Sequence, residues 1–229
     1  MERKITKKLI EWEKSANRKP LIIEDARQVG KKWILENALG KLYDNVIKLN
    51  FGKDDFLKKI FDNDYDTNRI IFEIETYFNT KIIKNNTLLI FDEIQEAPRA
   101  LTSLKYFNED NNDYHIACAG SLLGIKLSKT GFPVGKVNTI NMYPMDFEEF
   151  LMVLKEDNYL NLLNALKLDL INKFASKFIE LLKLYYIIGG MPEVVYNFSI
   201  NKNISMANAI QDEILSNYKT DINKHSTDD

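Results

Sequence analysis

The sequence predicts an α/β fold, with a parallel sheet flanked by helices, followed by a smaller helical lid. Three observations predict it. Short apolar runs alternate with amphipathic stretches as far as residue 143. The runs end in turns rich in Gly, Asp and Ser. From Asp146 onward the short runs stop, and Leu and Ile recur at helical spacing.

The elements follow in order. Residues 2–16 place Ile5, Leu9, Ile10 and Trp12 on one helical face. Leu21-Ile22-Ile23, after Pro20, suits a buried strand. A loop from Asp25 to Gly30 leads into a helix over 31–39, closed by Gly40. Residues 45–50 (NVIKLN) form a second strand, followed by helices around 55–61 and 68–79. Residues 87–91 form the third strand, with Asp92-Glu93 at its end. Pro98 opens a helix to Phe107, and the fourth strand, 115–119, runs into Gly120-Ser121. Residues 134–142 form the fifth strand. Helices are expected over 150–154, 160–170, 174–186 and 205–218, with a break at Gly189-Gly190. The expected organisation is a core over 1–143, a helical lid over 144–222 and a polar tail over 223–229.

With 229 residues, 45% hydrophobic and 28% charged, the chain has the composition of a globular protein. The 31 Lys and Arg nearly balance the 33 Asp and Glu, so no global field draws it to nucleic acid or an anionic membrane. The basic start, MERKITKK, reads first as a solvated helix face. The single cysteine, Cys118, excludes a disulfide within the chain and reads as a buried thiol. No apolar stretch is long enough to span a bilayer and no signal sequence opens the chain, so a cytoplasmic location is expected.

Chemistry concentrates at three strand ends. A phosphate-binding loop wraps phosphates in backbone N–H groups, with a Lys for the β/γ oxygens and a hydroxyl for Mg²⁺. Its pattern is Gly, four residues, then Gly-Lys-Ser/Thr. Here the stretch is Asp25-Ala26-Arg27-Gln28-Val29-Gly30-Lys31-Lys32. Gly30 and Lys31 fit, but Asp25 replaces the first Gly and Lys32 the hydroxyl residue. Asp92-Glu93 then fits an acid that holds Mg²⁺ and a base that polarises water, against the alternative of an acidic helix cap. Ser121 reads equally as a sensor of the γ-phosphate or as a helix cap. Arg27 and Arg99 are candidates for arginine fingers, with ion pairing the more ordinary role. His115 and His225 are too isolated to suggest a metal site.

These stretches, KPLIIEDARQVGK, LLIFDEIQEAPRALTSLKYFNED, AGSLLG, FPVGKV, YPMDFEEFL, GGMPEVV and NYKTDINKH, resemble the prokaryotic AAA-type P-loop ATPases that precede a poorly characterised C-terminal domain. The resemblance implies a RecA-like P-loop NTPase fold, a lid of helical or winged-helix form, and ATP and Mg²⁺ as cofactors. It implies a phosphate-binding Lys31, with Ala26 to Lys32 forming the loop, a Mg²⁺-side Asp92, a catalytic base at Glu93 and a sensor-like Ser121. It also implies that most of the C-terminal domain is missing after residue 229. Partners are then a nucleotide, and a second copy or another protein; nucleic acid has no direct support and a membrane none. The substitutions at 25 and 32 lead to an expectation of ATP binding with weak or absent hydrolysis. An active ATPase with a compensating Mg²⁺ ligand and a non-enzymatic regulatory remnant remain as alternatives.

Overall fold

The computed structural model describes residues 3–25, 28–120 and 132–226. These divide into two compact units. One comprises residues 5–25, 30–120 and 132–142; the other comprises residues 3–4, 28–29 and 143–226.

The first unit opens with α1 (Ile5–Lys14), which buries Ile5, Leu9 and Trp12 as its periodicity predicts. Strands β1 (Leu21–Asp25), β2 (Asn45–Asn50), β3 (Thr87–Asp92), β4 (His115–Ala119) and β5 (Asn138–Met142) form a five-stranded sheet in the order β2-β3-β4-β1-β5. Every pairing is parallel. Each residue of β3 and β4 is buried, the mark of central strands covered on both faces. Ile22, Ile47, Leu49, Leu89, Phe91, Ile116 and Cys118 face one core. There they join Leu57 of α3 (Asp55–Lys59), Ile70, Ile71 and Ile74 of α4 (Thr67–Phe78), and Leu101, Leu104 and Phe107 of α5 (Pro98–Asp110). Phe51, Phe61 and Phe91 meet edge to face at 5.5–5.7 Å in the same cluster. Burial pushes the Cys118 thiol well above its ordinary range, as an inert core residue requires.

Caps account for the helix starts. Asp54 accepts from the Phe56 N–H and Asp66 from the Asn68 N–H, while Pro98 supplies the first position of α5. The helix expected over 31–39 is less regular and longer. Its α-helical turn, α2 (Lys31–Ile34), passes into π-helix over Leu35–Leu39 and a 3₁₀ turn over Gly40–Leu42. Gly40 stays helical; what it supplies is room, since a Cβ there would lie 3.2 Å from the Leu35 carbonyl oxygen. Strand β5 starts later than expected because residues 133–136 form a turn, with the Lys136 N–H donating to the Pro133 carbonyl and Gly135 at φ +73°.

In the second unit, Arg3 is buried, contrary to the solvated reading of the basic start. Its Nε lies 2.9 Å from Glu149 Oε1, and its Nη groups donate to the carbonyls of Val29 and Tyr143. Lys4 pairs with Asp146 and Glu148. Glu149 and Asp146 also form the capping box of α6 (Phe147–Leu154). The expected helix 160–170 is two, α7 (Asp157–Asn164) and α8 (Leu168–Lys173), separated by Leu166 at φ +48°. Then come α9 (Ala175–Ile188), α10 (Pro192–Asn201) and α11 (Ile204–Ser226), the last running into the stretch read as a polar tail. Met145, Phe150, Ile188, Val194, Val195, Phe198, Ala207 and Ile214 form the core of this unit.

Two stability predictions follow from these details. A Cβ on Gly190 would sit 2.2 Å from the Met145 carbonyl oxygen, in a place closed by the Met145 N–H to Gly190 carbonyl bond of 2.7 Å. Gly190→Ala is expected to cost roughly 2 kcal/mol or more, read by urea denaturation, whereas Gly189→Ala meets only a Gln211 side-chain atom at 3.8 Å and carries backbone strain instead. In the first unit, His115 is buried, with its Nδ1 accepting from the Tyr43 hydroxyl at 2.7 Å and its Nε2–H donating to Asn85 Oδ1 at 3.1 Å. Burial, and then the charge of Arg18, lower its pKa from 6.5 to about 4. The unfolded chain therefore binds the proton first as pH falls. Its contribution is complete above pH 6.5 and is lost toward pH 4, on the order of 2 kcal/mol. Denaturation of the native chain and of His115→Gln at pH 7.5 and pH 4.5 should show a smaller pH dependence in the variant.

Candidate functional site

Parallel pairing brings the C-terminal ends of the strands to one edge of the sheet. Asp92 stands opposite Asn50 of β2 and Ala119 of β4, and Ala119 stands opposite Ile23 of β1. The end of β1 at Asp25, the Asp92-Glu93 pair and Gly120 are therefore neighbours along that edge. The order also places β4 between the strand that enters the loop and the strand that carries the acidic pair.

Asp92 is buried, and one of its oxygens meets an amide and two ammoniums. Asn50 Nδ2 donates to Oδ2 at 2.9 Å, Lys48 Nζ lies at 3.0 Å and Lys32 Nζ at 3.7 Å. Lys48 and Asn50 are two residues apart on β2, so they project to the same face. Lys48 also pairs with Glu36, in the π-helical segment that continues α2. Burial opposes the charge on Lys48, but Glu36 and Asp92 outweigh it and raise its pKa. The nearby Lys48 ammonium, and then burial, lower the pKa of Lys32. Two cations thus share one buried carboxylate, and Lys48 holds its proton the more firmly.

Lys31 is half-buried at the start of α2. Burial lowers its pKa to about 8, against the opposing pull of Glu93 and then Asp92. Glu93 adopts left-handed backbone geometry, φ 56°, ψ 44°, and accepts from Gln95 Nε2 at 2.6 Å. Such a conformation is uncommon for a residue with a Cβ. A Cβ on Gly52 would lie 3.3 Å from Glu93 Cγ, so the glycine leaves room for this side chain. Asn50 Oδ1 and Gln95 Oε1 are buried acceptors without a hydrogen-bond partner.

Of the loop residues, Gly30 is left-handed at φ 90°, which a Cβ-bearing residue would adopt only with strain, and its carbonyl accepts the Ile34 N–H. Gln28 is also left-handed, at φ 65°, and exposed, whereas Val29 is fully buried. Ala26, Arg27 and Ser121 lie outside the described residues, as do the side chains of Asp25 and His225. Arg99 is not directed at the site. Its Nε donates to the Phe61 carbonyl and its guanidinium lies over the Tyr65 ring at 4.7 Å. Lys48, Asn50, Glu36 and Gln95 were not singled out in the sequence. Lys48 and Asn50 had one legible signal: polar residues alternating on a strand that pairs with the acidic one.

The donor set does not fit the magnesium site that the loop pattern implies. Magnesium takes oxygen ligands in octahedral geometry. Lys32, the residue after Lys31, has no lone pair to offer, and Asp92 Oδ2 already meets the Lys48 ammonium and the Asn50 amide, with Lys32 at 3.7 Å. No cluster of three or more His, Cys, Asp or Glu suited to a metal occurs among the described residues.

Comparison with solved structures finds C. elegans PCH-2 similar, at 15% identity and a TM-score of 0.35, over 70% of this chain and 46% of that one. The chain thus spans less than half of the length of that protein. A search of the curated proteins gives no match. No helix among the described residues is long and apolar enough to cross a membrane. The model of the AAA domain family matches residues 17–151, from the linker before β1 into α6. That match covers more than half of the 229 residues and includes every strand of the sheet, so the chain belongs to the AAA domain family of P-loop ATPases.

Proposed function

We propose that this chain is an ATP-binding AAA-type domain in which hydrolysis is weak or absent. The observation that carries the reading is the placement of Lys32 against Asp92, at the end of the sheet where Lys31 and Glu93 also stand. Lys31 contributes a cation for the phosphates beside a left-handed Gly30. Glu93, oriented by Gln95, is the group suited to accept a proton from water. What the site lacks is the residue pair that completes the loop pattern, Gly at 25 and a hydroxyl at 32. Lys31 and the exposed Lys32 supply cations that support binding, but turnover depends on groups held to match charge that develops in the transition state.

A second reading, association with another protein or a second copy, has its own support. In the second unit Phe174, Ile179 and Tyr186 of the 174–186 stretch, and Ile204 and Met206 of α11, are exposed. Apolar side chains left open in that number are what association surfaces offer.

Calorimetric titration with ATP, combined with a phosphate-release assay, tests the proposal. The native chain is expected to bind ATP and release phosphate slowly, and Lys31→Ala to bind about tenfold more weakly or worse. Asp25→Gly with Lys32→Thr is expected to raise hydrolysis by at least about tenfold, and Glu93→Gln to remove that gain. Brisk turnover by the native chain, lost in Glu93→Gln, would overturn the reading of weak hydrolysis; absence of ATP binding would overturn the reading of the site.

A further inference from the structure

Two ammoniums converge on one oxygen of Asp92, the position where a divalent cation would otherwise stand. Lys32 and Lys48 bring two positive charges to one carboxylate oxygen, at 3.7 and 3.0 Å. Each arrives from a different element: Lys32 from α2, directly after the loop lysine, and Lys48 from β2, beside β3. The Asp92 side chain is only 8% exposed, so its charge has to be compensated by groups held close to it. Lys48 is fixed by two carboxylates, Asp92 and Glu36. Lys32 is held less tightly, with its side chain 57% exposed. It can keep one N–H toward Asp92 and turn others outward, since an ammonium has three donors.

Resting on the ATP-binding reading above, we propose that Lys32 and Lys48 together take the place of the divalent cation, so that this domain binds a nucleoside triphosphate without magnesium. The substitution at 32 is then an exchange of one cation for another rather than damage alone. A hydroxyl at this position serves a metal; an ammonium here meets Asp92 on one side and phosphate oxygens on the other, directly. Charge-assisted N–H···O bonds to phosphate are strong enough for this role. They do not impose the rigid octahedral arrangement of oxygens that magnesium does, which agrees with binding that outlasts turnover.

The test is a fluorescence titration of the purified chain with N-methylanthraniloyl-ATP, in excess Mg²⁺ and in excess EDTA. The native chain is expected to bind with affinities that agree within about threefold between the two conditions. Lys32→Thr and Lys48→Met are each expected to weaken binding in EDTA by about tenfold. Added Mg²⁺ should restore Lys32→Thr, which regains a hydroxyl. Lys48→Arg, which keeps the charge, should retain binding in EDTA, and it serves where thermal melts show that Lys48→Met has not folded. Native binding that is tenfold or more tighter with Mg²⁺ would overturn the inference while leaving the ATP-binding reading intact. Unchanged EDTA affinity in a folded Lys32→Thr would overturn it equally. No binding by the native chain in either condition would refute the ATP-binding reading itself, and the inference with it.

Discussion

The parallel pairing of β3 with β2 on one side and β4 on the other governs where each group of the site can be. Because all the strands run the same way, their C-terminal ends meet at one edge, and the residues that follow them are neighbours however far apart they are in sequence. The register opposes Asp92 to Asn50 and to Ala119. A slip of one residue would turn Asp92 to the opposite face of the sheet, among Phe91, Leu89 and Cys118. The apolar packing on that face, with three interlocked phenylalanines, therefore maintains the position of the carboxylate on the other.

A buried carboxylate sets a problem that the two units meet by similar means. In the first, Asp92 is compensated by Lys48, Lys32 and an amide donor from Asn50. In the second, Glu149 is compensated by Arg3 and accepts the backbone N–H of Lys4 at 2.7 Å. The difference lies in access. Arg3 is itself buried and directs its remaining donors at backbone carbonyls, so its role is architectural. Lys32 is exposed, with its side chain open to solvent on the side away from its pair with Asp92. Truncating one partner of a buried pair leaves the other charge uncompensated, so Arg3 and Lys48 both carry structural weight beyond any part in binding.

Much of the fold was legible because it rests on local signals. The short apolar runs of β2 and β4 end where their composition changes, and Pro98 states where α5 begins. The departures share a cause. Residues 133–136 form a turn rather than strand, Leu166 interrupts an apolar helix pattern, and α2 passes into a π-helix. In each of them the backbone conformation depends on neighbours that periodicity does not register.

For the site, the sequence by itself determined the chemical inventory: a glycine and two lysines after one strand, and two acids at the end of another. These are facts of residue type at fixed spacing, and spacing along one strand or loop is set by covalent geometry. Only the tertiary structure decided which charges meet. Lys48 and Glu36 sit in unrelated stretches of the chain, and nothing local joins either to Asp92. The sheet order brings β2 beside β3, the pleat turns Lys48 toward the same face as Asp92, and the helix after the loop supplies Lys32 and Glu36. Electrostatic interactions depend on distance through space and on burial, and both are products of the fold rather than of position along the chain.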